Sequence, residues 1–88
     1  MHDTGIAERI VEVAAARARA AGAVRVTDLN LELGPEAGFS QESVVFHLQE
    51  ASAGTPVEGA RINFLPTADA RALRLVSIDV EDVLAPSN

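Results

Sequence analysis

The chain begins Met1-His2-Asp3, and those residue types in that order can act as a chelate. An α-amine, an imidazole one residue away and the intervening amide nitrogens can close small rings around one metal ion. Such an all-nitrogen, square-planar set suits Ni²⁺ or Cu²⁺. An unperturbed α-amine titrates at about 7.7 to 8.0 and an imidazole at about 6.5, so a bound metal must displace protons and bind more tightly as pH rises. The competing reading is that His2 is an ordinary frayed terminal residue.

Other candidates are weaker. His47 sits at the edge of an apolar helical stripe, where a partly buried, hydrogen-bonded histidine is the plain reading and a metal ligand the sharper one. Phe46 projects among Glu42, Gln49 and Glu50, covering a loop or marking a contact patch. Asp28, Glu32, Asp79 and Glu81 alternate along strands and read as a solvated face in preference to a hard-cation site. No glycine-rich phosphate loop, nucleophile elbow or HExxH pair occurs, so the chain is not expected to be an enzyme and has no catalytic residues to nominate. The sequence contains no cysteine, which removes disulfides, thiolate nucleophiles and sulfur-ligated zinc together.

Composition bounds the rest. A chain of 88 residues with 48% apolar content makes one domain around one core, spanning 1–88. The net charge of −6, from 13 acids against 7 basic residues that are all arginine, argues against nucleic-acid binding, which needs a basic face. No apolar run is long enough to span a bilayer, and no basic segment precedes an apolar core at the start; the expectation is a cytoplasmic protein without membrane contacts.

The elements that must position these residues follow from periodicity. Ile6, Ile10, Val13 and Ala14, widened by Ala7, Val11 and Ala18, give a helix over roughly Thr4 to Ala21, capped by Asp3 or Thr4 and closed by Gly22. VRVTDLNLEL alternates as a strand, but its apolar parity switches between Val26 and Leu29, which predicts a bulge. Leu29, Leu31 and Leu33 should then face the core. Ser40 is placed to cap a second helix over Gln41 to Ser52, with Val44, Val45, Leu48 and Ala51 inward and Phe46 outward. EGARINFLP supplies a second strand with Ile62 and Phe64 inward, and LRLVSIDVED a third with Val76, Ile78 and Val80 inward. The order α-β-α-β-β predicts an α/β (α+β) two-layer sandwich, two helices on one face of a three-stranded mixed sheet. The short connection 66–72 suggests a hairpin of the last two strands. An unprotected edge strand leaves a homodimer open.

The chain also resembles a known family. MHDTGIAERIVE is similar to the start of the HypA/HybF hydrogenase nickel-incorporation proteins. VTDLNLELG looks like their first strand, FSQESVVFHLQEASAGTPVEGARINF like their second helix, G-T-x-x-E-G-A turn and second strand, and LVSIDVED like their final strand. The resemblance implies a metallochaperone that binds nickel at Met1, His2 and Asp3, through the amine, the His2 imidazole and nearby backbone nitrogens. It implies delivery with a hydrogenase-maturation GTPase, the hydrogenase large subunit being a further partner.

Two departures stand out. Asp3 replaces the family's usual glutamate. Where family members insert a zinc domain with two CxxC pairs, this chain has only the connection 66–72, so no structural zinc is expected. Two readings follow: a reduced nickel metallochaperone for nickel-iron hydrogenase maturation, or a metal-independent interaction or scaffold module in a hydrogenase-related complex.

Overall fold

A computed structural model describes residues 3–82. Met1 and His2 lie outside the described residues, as do the side chains of Asp3 and Thr4 and hence the expected cap. The elements are α1 (Asp3–Ala20), β1 (Ala23–Leu33), α2 (Gln41–Ser52), β2 (Arg61–Leu65) and β3 (Leu73–Asp82), in the order expected from the sequence.

α1 buries Ala7, Ile10, Val11, Ala14, Ala15 and Ala18. The alanines let its axis approach the layer beneath closely, so the inward stripe is centred on them. Ile6 is exposed and Val13 only half-buried, at the margins of the stripe and not in it. Gly22, at φ +74°, takes the left-handed conformation that closes a helix at no steric cost, and its N–H donates to the Arg19 carbonyl at 3.0 Å. α2 starts as expected: the Ser40 hydroxyl accepts from the Ser43 N–H at 3.0 Å, satisfying one of the free donors of the first turn. Val44 and Leu48 are buried, Val45 and Ala51 partly so, and Phe46 is 56% exposed.

The sheet has the order β2-β1-β3, with β1 parallel to β2 and antiparallel to β3. It is mixed, as expected, with both helices on one face. Val26, Leu29 and Leu31 of β1 are almost wholly buried against them, joined by partly buried Ile62, Phe64, Leu73, Leu75 and Ile78.

The expected hairpin is absent. The crossover through α2 returns the chain parallel to β1 and seats β2 on one edge, so β3 must take the other. The connection 66–72 therefore crosses the end of β1. It does so backbone to backbone: the Gly34 N–H donates to the Ala72 carbonyl at 2.8 Å and the Glu36 N–H to Ala70 at 2.6 Å. A Cβ on Gly34 would run into the carbonyl oxygens of Asp69 and Ala70. Glycine is needed here for close approach.

The predicted bulge is present. Val26 pairs with Val80 and Asp28 with Asp79, leaving Thr27 as the extra residue on β1. A second irregularity changes the expectation for β3. Asn30 pairs with Ser77 and Leu31 with Leu75, so Val76 is the extra residue and is 43% exposed. Leu73, Leu75 and Ile78 face inward, and Val80 lies at the exposed margin. An unbroken alternation fails because each bulge reverses the faces beyond it.

Gly34→Ala is expected to destabilise the fold by ~1–3 kcal/mol or more, since the crossing backbone must shift to admit a methyl group. Gly5→Ala, in an open position of α1 with nothing near its added Cβ, should instead stabilise by ~0.5–1 kcal/mol. Urea unfolding of the two variants checks both signs.

Candidate metal site

The terminal triplet runs directly into α1. Asp3 is its first residue, and the first N–H groups of a helix have no acceptor within it. The amide nitrogen of Asp3 is therefore not committed to the helix ladder. The next turns of α1 lie against α2, where Ile6, Ala7 and Ile10 share a cleft with Phe39, Val44 and His47. The fold thus brings His47 to the end of α1 that carries the triplet.

His47 is half-buried and hydrogen-bonded, in line with the plainer expectation for it. Its Nδ1 lies 2.8 Å from the Ser43 carbonyl oxygen. A carbonyl can only accept, so Nδ1 carries the proton, and in the neutral ring the lone pair is on Nε2. The Phe46 ring meets the imidazole edge-on, with centroids 5.4 Å apart and planes at 81°. Among the described residues, no group of three or more His, Asp or Glu side chains is arranged to hold a metal.

The acids of the open sheet face are not arranged as a cation site either, because arginines and amides occupy them. Asp28 sits beside Arg61 in the register and accepts from Arg61 Nε at 3.0 Å and Nη2 at 3.2 Å. It also accepts from Asn63 Nδ2 at 3.0 Å and Thr27 Oγ1 at 2.9 Å. Glu32 accepts from Arg74 Nε at 2.8 Å and Glu81 from Arg25 Nε at 2.6 Å. Asn30 links the strands, donating to Ser77 Oγ at 3.1 Å and Asp79 Oδ2 at 3.2 Å while accepting from Asn63 at 2.9 Å.

One part of the sequence expectation needs correction. Asp28 is not solvated but 8% exposed, covered by the side chains that neutralise it. Its partners lie on a strand whose parallel register is set by a crossover, and alternation within either strand carries no sign of that pairing. The hydrogen bonds from Arg61, then those from Asn63 and Thr27, hold the Asp28 carboxyl down at about 2 against the desolvation that would raise it.

Comparison with known proteins places this geometry in context. Residues 1–72 match the family model described as "Hydrogenase/urease nickel incorporation, metallochaperone, hypA". The hydrogenase maturation factor HypA of Roseiflexus sp. is 44% identical over 62 residues, covering 70% of this chain and 50% of that protein. The HypA of Chlorobium limicola is 40% identical over 63 residues, covering 72% and 54%. The chain thus spans about half the length of the curated relatives it matches. The solution structure of the nickel metallochaperone HypA from Helicobacter pylori superposes with a TM-score of 0.77 over 93% of this chain and 99% of that one, at 11% identity. That likeness is one of fold.

Asp28 provides a test of the open face. Its carboxyl is depressed from an ordinary unfolded value of about 3.9 to about 2. The folded state therefore holds its proton less readily than the unfolded chain. The stabilisation is present above about pH 4 and is lost as pH falls toward 2. Asp28→Asn should lower stability at pH 7 and flatten the acid limb between pH 4 and 2, as measured by thermal melting across that range.

Proposed function

The chain belongs to the HypA family of hydrogenase/urease nickel-incorporation metallochaperones, and on that footing we propose that it captures Ni²⁺ as cargo at its N-terminus and passes it on during maturation of nickel-iron hydrogenase. The observation that carries this reading is that the match to the family begins at residue 1 and runs through both helices and the first two strands. It therefore includes the chelating triplet together with the fold that holds it. The family is one of metallochaperones, and an enzymatic role is not assigned.

In this reading Met1 supplies the α-amine. His2 supplies an imidazole and an amide nitrogen, and Asp3 the uncommitted amide nitrogen at the start of α1. The partial positive charge at a helix N-terminus favours loss of an amide proton there, which turns a poor donor into an anionic one. Nitrogen donors in a plane suit Ni²⁺. The cargo leaves by ligand exchange to a partner, a hydrogenase-maturation GTPase and then the hydrogenase large subunit, in the cytoplasm. No helix among the described residues is long and apolar enough to cross a membrane.

We further propose that residues 1–88 form one nickel-binding unit in which the connection 66–72 stands where the family carries its zinc module. Its seven residues, Pro66-Thr-Ala-Asp-Ala-Arg-Ala72, include no thiol or imidazole, so no zinc site is assigned to it.

A second reading, a metal-independent interaction module, is favoured by one observation. Phe46 is 56% exposed in a shallow depression shared with Val45 and Phe64, which is a contact surface that needs no metal.

Calorimetric titration separates the two. Protein with a free Met1 amine should bind one Ni²⁺, while His2→Ala and a form extended before Met1 should each lose at least about 100-fold in affinity, ~2.7 kcal/mol. The affinity of the free-terminus form should rise from pH 6 to pH 8 as amine and imidazole give up protons. Equal, weak binding by all three forms would favour the interaction module.

A further inference from the structure

We propose that His47 is a ligand of the captured nickel, donating through Nε2 from the body of the fold. This inference rests on N-terminal capture and deepens it. The terminal triplet offers its nitrogen donors from one short run of chain: the amine, the His2 amide, the His2 imidazole and the Asp3 amide. A further donor from a second element, added to that set, ties the cargo to the rigid part of the protein.

Three observations assign that role to His47. The first is position: the imidazole lines the same cleft as Ile6, Ala7 and Ile10 of α1. That cleft is lined by the first two turns of α1, and only Met1 and His2 precede the helix, a run of ~7 Å when extended. The chelating residues therefore adjoin the end of the cleft with α1 intact.

The second is protonation. Nδ1–H is held by the Ser43 carbonyl at 2.8 Å, one helical turn earlier. Metal-ligating histidines commonly donate one ring nitrogen to a carbonyl in this way, which fixes the tautomer and raises the basicity of the other nitrogen. The third is access. Nε2 has no hydrogen-bond partner among the described residues, and there no buried side-chain nitrogen or oxygen is unpaired. Among the described residues nothing competes with a metal for Nε2. The edge-on Phe46 ring limits how far the imidazole can turn. Because no complete ligand set exists among the described residues, His47 binds metal only together with the terminus.

The test uses the full chain with a free Met1 amine. Two-dimensional NMR of the ¹⁵N-labelled imidazoles during addition of one equivalent of NiCl₂ should move or broaden the Nε2 signal of His47 along with the signals of His2. In parallel, His47→Gln should weaken nickel binding by about 10- to 100-fold with an unchanged melting temperature. Its side-chain amide can still donate to the Ser43 carbonyl. His2→Ala should remove the response of His47 altogether.

An unmoved His47 Nε2 signal, with nickel still lost in His2→Ala, overturns the role of His47 while leaving N-terminal capture intact. Weaker binding in His47→Gln without an Nε2 response marks a packing role and also overturns it. Nickel binding that survives His2→Ala unchanged overturns N-terminal capture itself, and His47 with it.

Discussion

The fold depends on β1 being paired along both edges while its two faces meet different environments. Toward the helices it presents Val26, Leu29 and Leu31, each at most 1% exposed. On the opposite face it presents Asp28, Asn30 and Glu32, the middle of a cross-strand network that reaches β2 and β3. A one-residue slip of β1 against either neighbour would move leucines into water and carboxylates under the helices. Register is therefore held twice, by apolar burial on one face and by charge-assisted hydrogen bonds on the other. The bulge at Thr27 lets a single strand meet both demands, since it changes parity between the buried Val26 and the buried Leu29.

The candidate site is built on this frame indirectly. β1 supports α1 and α2, and their contact sets the start of α1 beside the middle of α2. The alanine-rich stripe of α1 makes that contact close. In the proposed capture of nickel, the donors are local to the terminus while the helix that follows is anchored to the core. Such a division suits the holding and release of an ion, because donors can exchange without the core moving.

What could be read from the sequence follows the range of the physics involved. Both helices are legible because caps and 3.6-residue periodicity are local: Ser40 caps as its spacing implies, and Gly22 ends α1. The bulge in β1 is legible because a parity switch from Val26 to Leu29 has few other causes. The matching irregularity at Val76 is hidden, since VSIDV alternates without fault and only its pairing with Asn30 and Leu31 reveals the extra residue. The crossing of β1 by 66–72 is hidden for a similar reason. A short connection between consecutive strands suggests a hairpin, and only the parallel seating of β2 rules it out. At the site, the proposal for Met1-His2-Asp3 needs only the order of residue types, because chelation by a terminus uses adjacent atoms. The tautomer of His47 depends on the Ser43 carbonyl one turn back in α2, its place beside α1 depends on the helix pair, and the burial of Asp28 depends on a strand far along the chain.

The crossing at Gly34 makes one end of the sheet a natural place for growth. The last residue of β2 and the first of β3 stand on either side of β1, so two strand spacings separate them, about 10 Å. Chain leaving β2 and returning to β3 emerges beyond the core, past the end of every strand. A module spliced between them would be held by two separate stalks, and of the connection's side chains only Ala72, 4% exposed, belongs to the core. The direct route taken here keeps that doorway closed with two backbone hydrogen bonds, those of Gly34 and Glu36. Enlarging the protein at this point would give up those bonds and the side-chain contacts of Thr67 with Glu32 and of Asp69 with Arg74, while β1 keeps its pairing with both neighbours, which makes it a suitable position for grafting a new unit onto the fold.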